Sequence, residues 1–309
     1  MGLLLVRKLV RASITVLLLV TAVFLILRAS GDPAVMMLGV EVSPVALENF
    51  RDRWGLNDPV WVQYVIYLKS LAQGDFGRSY IGDRSAWDVV AERLPATLIL
   101  MVSATVLAVV AGVLAGVLAA LNRKSWIDRL VMIIAAAGFS APNFVLGIFL
   151  IVLFGAIWQI LPTTGSDTFW HGVLPVLTLA SADAAVFARF TRSAVLETLN
   201  QPLMRTALAK GVPYRAAVLR HALPNSAIGL VTVFGLFVGR LVSGAVVTEN
   251  VFAWPGVGSL LVLSVENRDF AVVQTIVILI GITMVCANLL VDLSYLWLDP
   301  RTRRTRSRT

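Results

Sequence analysis

Side chains with chemistry to offer are few and scattered in this 309-residue chain. His171 and His221 are its two histidines and Cys286 its one cysteine. Proteolysis inside a membrane would want a Ser/His pair, two facing aspartates or a His-Glu-x-x-His zinc site. The two histidines fall in loops on opposite sides of the apolar segments described below, so they share neither a metal nor a triad. Cys286 has no partner for a disulfide or a thiolate cluster and reads as a small buried apolar residue in its span. No G-x-x-x-x-G-K-[ST] stretch occurs, so the chain builds no phosphate cradle of that type. Gly256-Val257-Gly258 lacks the strand–helix setting and the later glycine of a dinucleotide fingerprint. The residues therefore predict no catalytic group, no metal and no cofactor of the chain's own. What remains is a set of charges in apolar surroundings: Asp183, Arg240 and, nearer an edge, Asp292 and Glu249. A charge at mid-bilayer costs roughly 2.5–3.5 kcal/mol on insertion scales and so faces a partner or water. Asp183, Arg240 and Glu249 are accordingly candidates for lining a translocation path, with pairing inside the helix bundle as the competing role for Asp183 and Arg240.

The elements that hold these charges are membrane spans. The chain is 58% apolar and 14% charged, against roughly 45–50% apolar for a soluble domain, and it contains several apolar runs of about 18 residues or more. Six spans are expected, at about 9–27, 96–121, 130–153, 173–188, 227–247 and 272–297; the fourth is short and contains Asp183. The first follows Arg7 and Lys8, is too long for a signal h-region and lacks a clear cleavage site before Gly31, so it is expected to stay as an anchor. Basic residues cluster at the N-terminus, at Arg123, Lys124 and Arg129, six times between Arg189 and Arg220, and five times after Pro300. The short loop 160–171 has none, and 249–271 has only Arg268. That asymmetry places both termini inside. Segment 31–95, being long, translocates regardless of its charges, and its Trp54, Trp61, Tyr64, Tyr67, Leu68 and Leu71 recur at roughly helical spacing. Asp75-Phe76-Gly77 then signals a turn before a short amphipathic stretch that leads to Pro95. The basic residues are not interleaved with aromatics on a soluble face, which argues against nucleic acid as a partner.

The cytoplasmic segment 189–225 is too polar to span and too patterned to be a plain loop. Val195, Leu199 and Leu203 keep a four-residue apolar spacing. Pro202 is expected to open a short helix, Gly211 to end it in the left-handed conformation, and Pro213 to open a second helix running to about Leu223. Two spans could be joined with far fewer residues.

Thr206-Ala207-x-Ala209-Lys210-Gly211 followed by Arg220-His221-Ala222-Leu223-Pro224-Asn225 resembles the EAA loop of binding-protein-dependent ABC importer permeases, in its peptide/nickel version. Arg53-Trp54-Gly55-Leu56-Asn57-Asp58-Pro59, Gly74-Asp75-Phe76-Gly77-Arg78-Ser79, Glu249-x-Val251-Phe252-x-Trp254-Pro255-Gly256-x-Gly258 and Leu298-Asp299-Pro300-Arg301 are similar to other signatures of the first permease of dipeptide systems. The motif's glutamate is absent, Leu208 stands where a basic residue is common, and Gln201-Pro202-Leu203 replaces a more typical Gln-Asp-Tyr. The resemblance implies an all-α membrane protein of six transmembrane helices, N-in and C-in, in the bacterial plasma membrane. It divides the chain into a tail and first span (1–30), an external segment (31–95), a five-span core carrying the coupling loop (96–298) and a basic tail (299–309). It also implies that Thr206, Ala207, Ala209, Lys210, Gly211, Val212, Pro213, Arg215, Leu223 and Pro224 form the knob that docks on an ATPase. The implied partners are a second homologous permease, two cytoplasmic ATPase subunits holding ATP and Mg, and an external binding protein. The cargo would be a di- or oligopeptide, or alternatively a nickel or other chelate. An ion-coupled secondary transporter is the rival class, but the hydropathy pattern shows neither the internal repeat nor the paired broken spans of that class.

Overall fold

The computed structural model describes residues 2–29, 34–35, 42–53, 56–79 and 81–298. The basic tail 299–309 and Trp54-Gly55 of the outer motif lie outside the described residues. Every regular element described is a helix: α1 (Gly2–Ala29), α2 (Pro44–Arg53), α3 (Val60–Ala72), α4 (Ala86–Leu121), α5 (Trp126–Ser140), α6 (Asn143–Leu150), α7 (Phe169–Leu199), α8 (Pro202–Ala209), α9 (Tyr214–Ala217), α10 (Leu223–Gly239), α11 (Val246–Val251), α12 (Val257–Glu266) and α13 (Phe270–Leu298). Five stretches are long and apolar enough to cross a membrane: 6–26, Ala86–Leu121, Phe169–Leu199, Tyr214–Gly239 and 270–290. A bent pair, α5 with α6, makes up to six.

Four expectations are corrected in detail. The third span, 130–153, is not straight: its two halves meet at 101° around Ala141 and Pro142. Pro142 has no amide hydrogen and disfavours the α conformation in the residue before it, and Ala141 is extended (φ −79°, ψ 127°). α6 then passes into a π turn over Ile151–Ile157. The fourth span is not short, because α7 continues through the polar stretch after Ala188 to Leu199, 31 residues in all. The fifth stops at Gly239; a turn separates it from α11, which carries Glu249. Finally, Pro95 does not mark a boundary, since α4 runs through it from Ala86.

Contacts divide the chain into two compact units, 1–96 with 256–285 and 97–255 with 286–309. In the first, α1 packs on α3 through aromatic rings: Phe24 lies 5.2 Å from the Tyr64 ring and 5.4 Å from Tyr67. Thr21 and the Tyr64 hydroxyl share a hydrogen bond of 2.5 Å. Burial pushes the Tyr67 phenol well above its usual range. In the same unit the turn after Phe76 is pinned to the start of α13, where Ser79 donates to the buried Asp269 carboxylate, whose other oxygen accepts the Val272 amide.

In the second unit the close approach of α4 to α7 depends on two glycines. A Cβ at Gly112 would fall 2.6 Å from the Ala184 carbonyl oxygen, and one at Gly116 would fall 2.5 Å from that of Ala188. The Gly112/Gly116 small-x-x-x-small face thus serves the chain's own bundle.

Candidate functional site

The knob is built from two short helices whose ends are fixed locally. Pro202 occupies the first turn of α8, where its missing amide costs nothing. At the other end the Gly211 amide bonds the Leu208 carbonyl (2.9 Å) and the Val212 amide reaches back to Ala207 (3.1 Å). These are the two bonds of a Schellman motif, and they require the left-handed residue between them: Gly211 has φ +81°. The apolar contact that accompanies the motif is present, since Val212 packs on a cluster of Met204, Ala207, Ala217, Val218 and Ala222, with Leu199 and Leu223 at its edge. Pro213 then caps α9, as expected. The second helix does not end near Leu223; it passes through a π turn, Val218–Ala222, straight into α10.

This arrangement sorts the residues singled out in the sequence. Ala207 is buried and Val212 and Leu223 half-buried, so they hold the two helices together. Thr206, Ala209, Lys210, Gly211, Pro213, Arg215 and Pro224 are exposed, and Thr206 returns its hydroxyl to the Pro202 carbonyl at 2.9 Å. The outward surface is apolar as well as basic: Leu203, Leu208 and Tyr214 stand exposed among Arg205, Lys210 and Arg215. Such a face offers an apolar anchor ringed by cations.

A second constellation lies on α7 and α10. Half-buried Asp183 interacts electrostatically with Arg240, which caps α10 and is exposed. The aromatic pair Phe187 and Phe237 packs the two helices at 4.9 Å between ring centroids, and the Arg240 guanidinium lies over Phe237 at 5.8 Å. Asp183, Val186, Phe190 and Ser193 follow one face of α7. A cavity of about 370 Å³ opens lower on that face, lined by Phe139, Val186, Arg189, Phe190 and Ser193. Glu249 is placed differently: it is fully buried and its carboxylate accepts the Thr97 hydroxyl at 2.6 Å. Among the described residues no group of three His, Cys, Asp or Glu side chains could hold a metal ion.

One pair is not among the residues that the sequence singles out. Arg192 makes a fork on Asp128, Nε to Oδ1 at 2.6 Å and Nη2 to Oδ2 at 2.8 Å. Its one local signal is Ser125-Trp126-Ile127-Asp128, the S-x-x-D pattern that opens a helix; Ser125 caps α5 accordingly.

Residues 112–304 match the family described as the binding-protein-dependent transport system inner membrane component, and residues 1–101 match the N-terminal region described for the same transport systems. The chain belongs to this permease family. The glutathione transport system permease protein GsiC of Shigella flexneri serotype 5b is 43% identical over 273 residues, covering 88% of this chain and 89% of the relative. Its counterpart in Escherichia coli K12 is 42% identical over the same span. Among solved structures, the inward-facing MetNI methionine ABC transporter gives a TM-score of 0.59 at 20% identity, covering 68% of this chain and 96% of that one. An amino acid ABC transporter with histidines gives 0.52 at 17% identity, covering 67% and 92%. These likenesses confirm the all-helical importer-permease fold. The protein is thus a multi-pass inner-membrane permease subunit of an ABC importer.

Proposed function

We propose that this permease forms half of an import path for short peptides and receives its driving motion at the 202–224 knob. The observation that carries the substrate class is the 43% identity, across 88% of the chain, to a permease named for glutathione transport, a tripeptide. The observation that supports the coupling role is the knob's construction: a self-packed pair of helices whose outward face keeps Leu203, Leu208 and Tyr214 uncovered. Desolvated apolar anchors inside a polar rim are what a protein interface needs at its centre.

In this reading ATP and Mg belong to two cytoplasmic ATPase subunits, and a second homologous permease faces this one across the path. An external binding protein delivers the peptide and sets most of the selectivity. Asp183 and Arg240 offer opposite charges on adjoining helices, suited to a zwitterionic peptide backbone. Arg189 beside the lower cavity extends that face toward the inside. Glu249 contributes by holding α4 to α11 through Thr97.

Uptake in membrane vesicles containing the complete importer tests the substrate. Radiolabelled glutathione, a dipeptide and nickel chelate are supplied with the cognate binding protein. ATP-dependent accumulation of a peptide is expected; accumulation of nickel chelate alone would replace the peptide reading. Arg240→Gln, which leaves the knob untouched, is expected to lower peptide uptake several-fold while the complex still assembles.

A further inference from the structure

Leu199, the last residue of α7, lies at the edge of the knob's apolar cluster. From there α7 runs back as one uninterrupted helix to Arg192, about two turns away. At that turn α7 is held from two sides. On one, the Arg192 fork closes on both oxygens of Asp128 at the start of α5. On the other, α4 lies in backbone contact, because a Cβ at Gly116 would meet the Ala188 oxygen at 2.5 Å, Thr191 Cβ at 2.6 Å and the Arg192 amide at 3.1 Å. Asp128 is itself immobilised. It is buried, its Oδ2 also accepts the Lys124 amide at 3.0 Å, and its own amide donates to Ser125 Oγ at 3.3 Å. The 122–125 turn, α5 and α7 therefore converge on one carboxylate, a short helical run from the knob, while α4 packs on α7 at the same turn.

A solvent-exposed pair would transmit nothing, since two long side chains re-sort among rotamers under load. A planar fork on a buried carboxylate fixes angle as well as distance, and losing one partner leaves a stranded charge. We propose that the Asp128–Arg192 pair is the rigid joint that makes the knob, α7 and the α4–α5 hairpin move as one body. Displacement of the knob is then delivered to the spans instead of being spent in bending α7 between Arg192 and Leu199. Both residues act as positioning groups for coupling and touch no ligand. The proposal rests on membership in the permease family and is independent of what is carried.

Spin labels at Gln201→Cys, exposed at the start of α8 and outside the docking face, and at Ile133→Cys on α5, in a Cys286→Ala background, report the geometry directly in the assembled importer. The parent is expected to show one narrow interspin distribution, the same without nucleotide and in the vanadate-trapped state with ATP. Asp128→Asn is expected to broaden it and to make its mean differ between the two states. Arg192→Lys keeps the charge without the fork; it is the milder variant, carries the test should Asp128→Asn not assemble, and is expected to give an intermediate broadening. A state-dependent distance in the parent would sink the joint, as would a narrow, state-independent one in both variants.

Discussion

At Gly211 the backbone demands a conformation that side chains dislike, yet there is room for a side chain. Its φ is +81°, and a Cβ there would meet nothing within 4 Å. The penalty for substitution is thus conformational alone, roughly 1–2 kcal/mol for a residue forced into the left-handed region and more for a β-branched one. Asparagine tolerates that region. Gly211→Val is therefore expected to cut transport and substrate-stimulated ATPase severalfold while membrane insertion survives, and Gly211→Asn to retain most of both. Equal damage by the two would show that the position is governed by contact and not by backbone. The Thr97–Glu249 bond makes a different demand. Thr97→Val conserves shape but leaves a buried carboxylate oxygen without this donor, a loss of about 1–3 kcal/mol. A fall in the melting temperature of the detergent-solubilised complex, with the knob's function intact, is the expected result.

Between helices, distance is set by what is missing from the side chains. Gly116→Val would drive a branched side chain into the α7 backbone, and overpacking of this kind costs typically 1–3 kcal/mol when neighbours can yield. A helix backbone yields poorly, so strongly reduced yield of assembled complex is expected, whereas Leu114→Val, exposed on the same helix, should express normally. The knob is legible in the sequence because its ends are local events: a proline at the start, a glycine at the stop and a proline restarting the chain each act through their own backbone. The break at Ala141-Pro142 is not, because the apolar segments on its two sides together look like one span, and a proline inside an apolar run need not break a helix, as Pro95 does not. The length of α7 is hidden for the opposite reason. Arg189 and Arg192 make the stretch look like loop, while Asp128, far off in sequence, neutralises Arg192. Glu249 looks like a residue of the path because a linear count places it at the rim of the fifth span; the turn after Gly239 moves it onto α11 and into the interior.

For the molecule as a whole, the positive-inside asymmetry makes a claim that needs no partner to test. Asp75 and Asp167 are exposed in segments expected outside, and Lys210 is exposed on the knob expected inside. In a Cys286→Ala background, single cysteines at Asp75 and Asp167 are expected to react with an impermeant thiol reagent in intact cells. One at Lys210 should react only after permeabilisation. Replacing Cys286 matters because it is exposed in this structure. Family membership and fold are both legible from a chain-wide set of motifs, whereas cargo is not: few charges fall within the apolar segments, and in the proposed reading a separate binding protein selects the cargo.

The π turn at Val218–Ala222 gives the chain an arithmetic of its own. Each such turn holds one more residue than an α-turn would, and each residue advances a helix by about 100°. Deleting Leu219, whose side chain is exposed, would allow the turn to relax to α geometry while the knob and α10 keep their mutual facing. Inserting an alanine at the same point would rotate Phe237 and Arg240 away from α7. The joint between knob and span is thus a place where the chain can lose a residue far more safely than gain one.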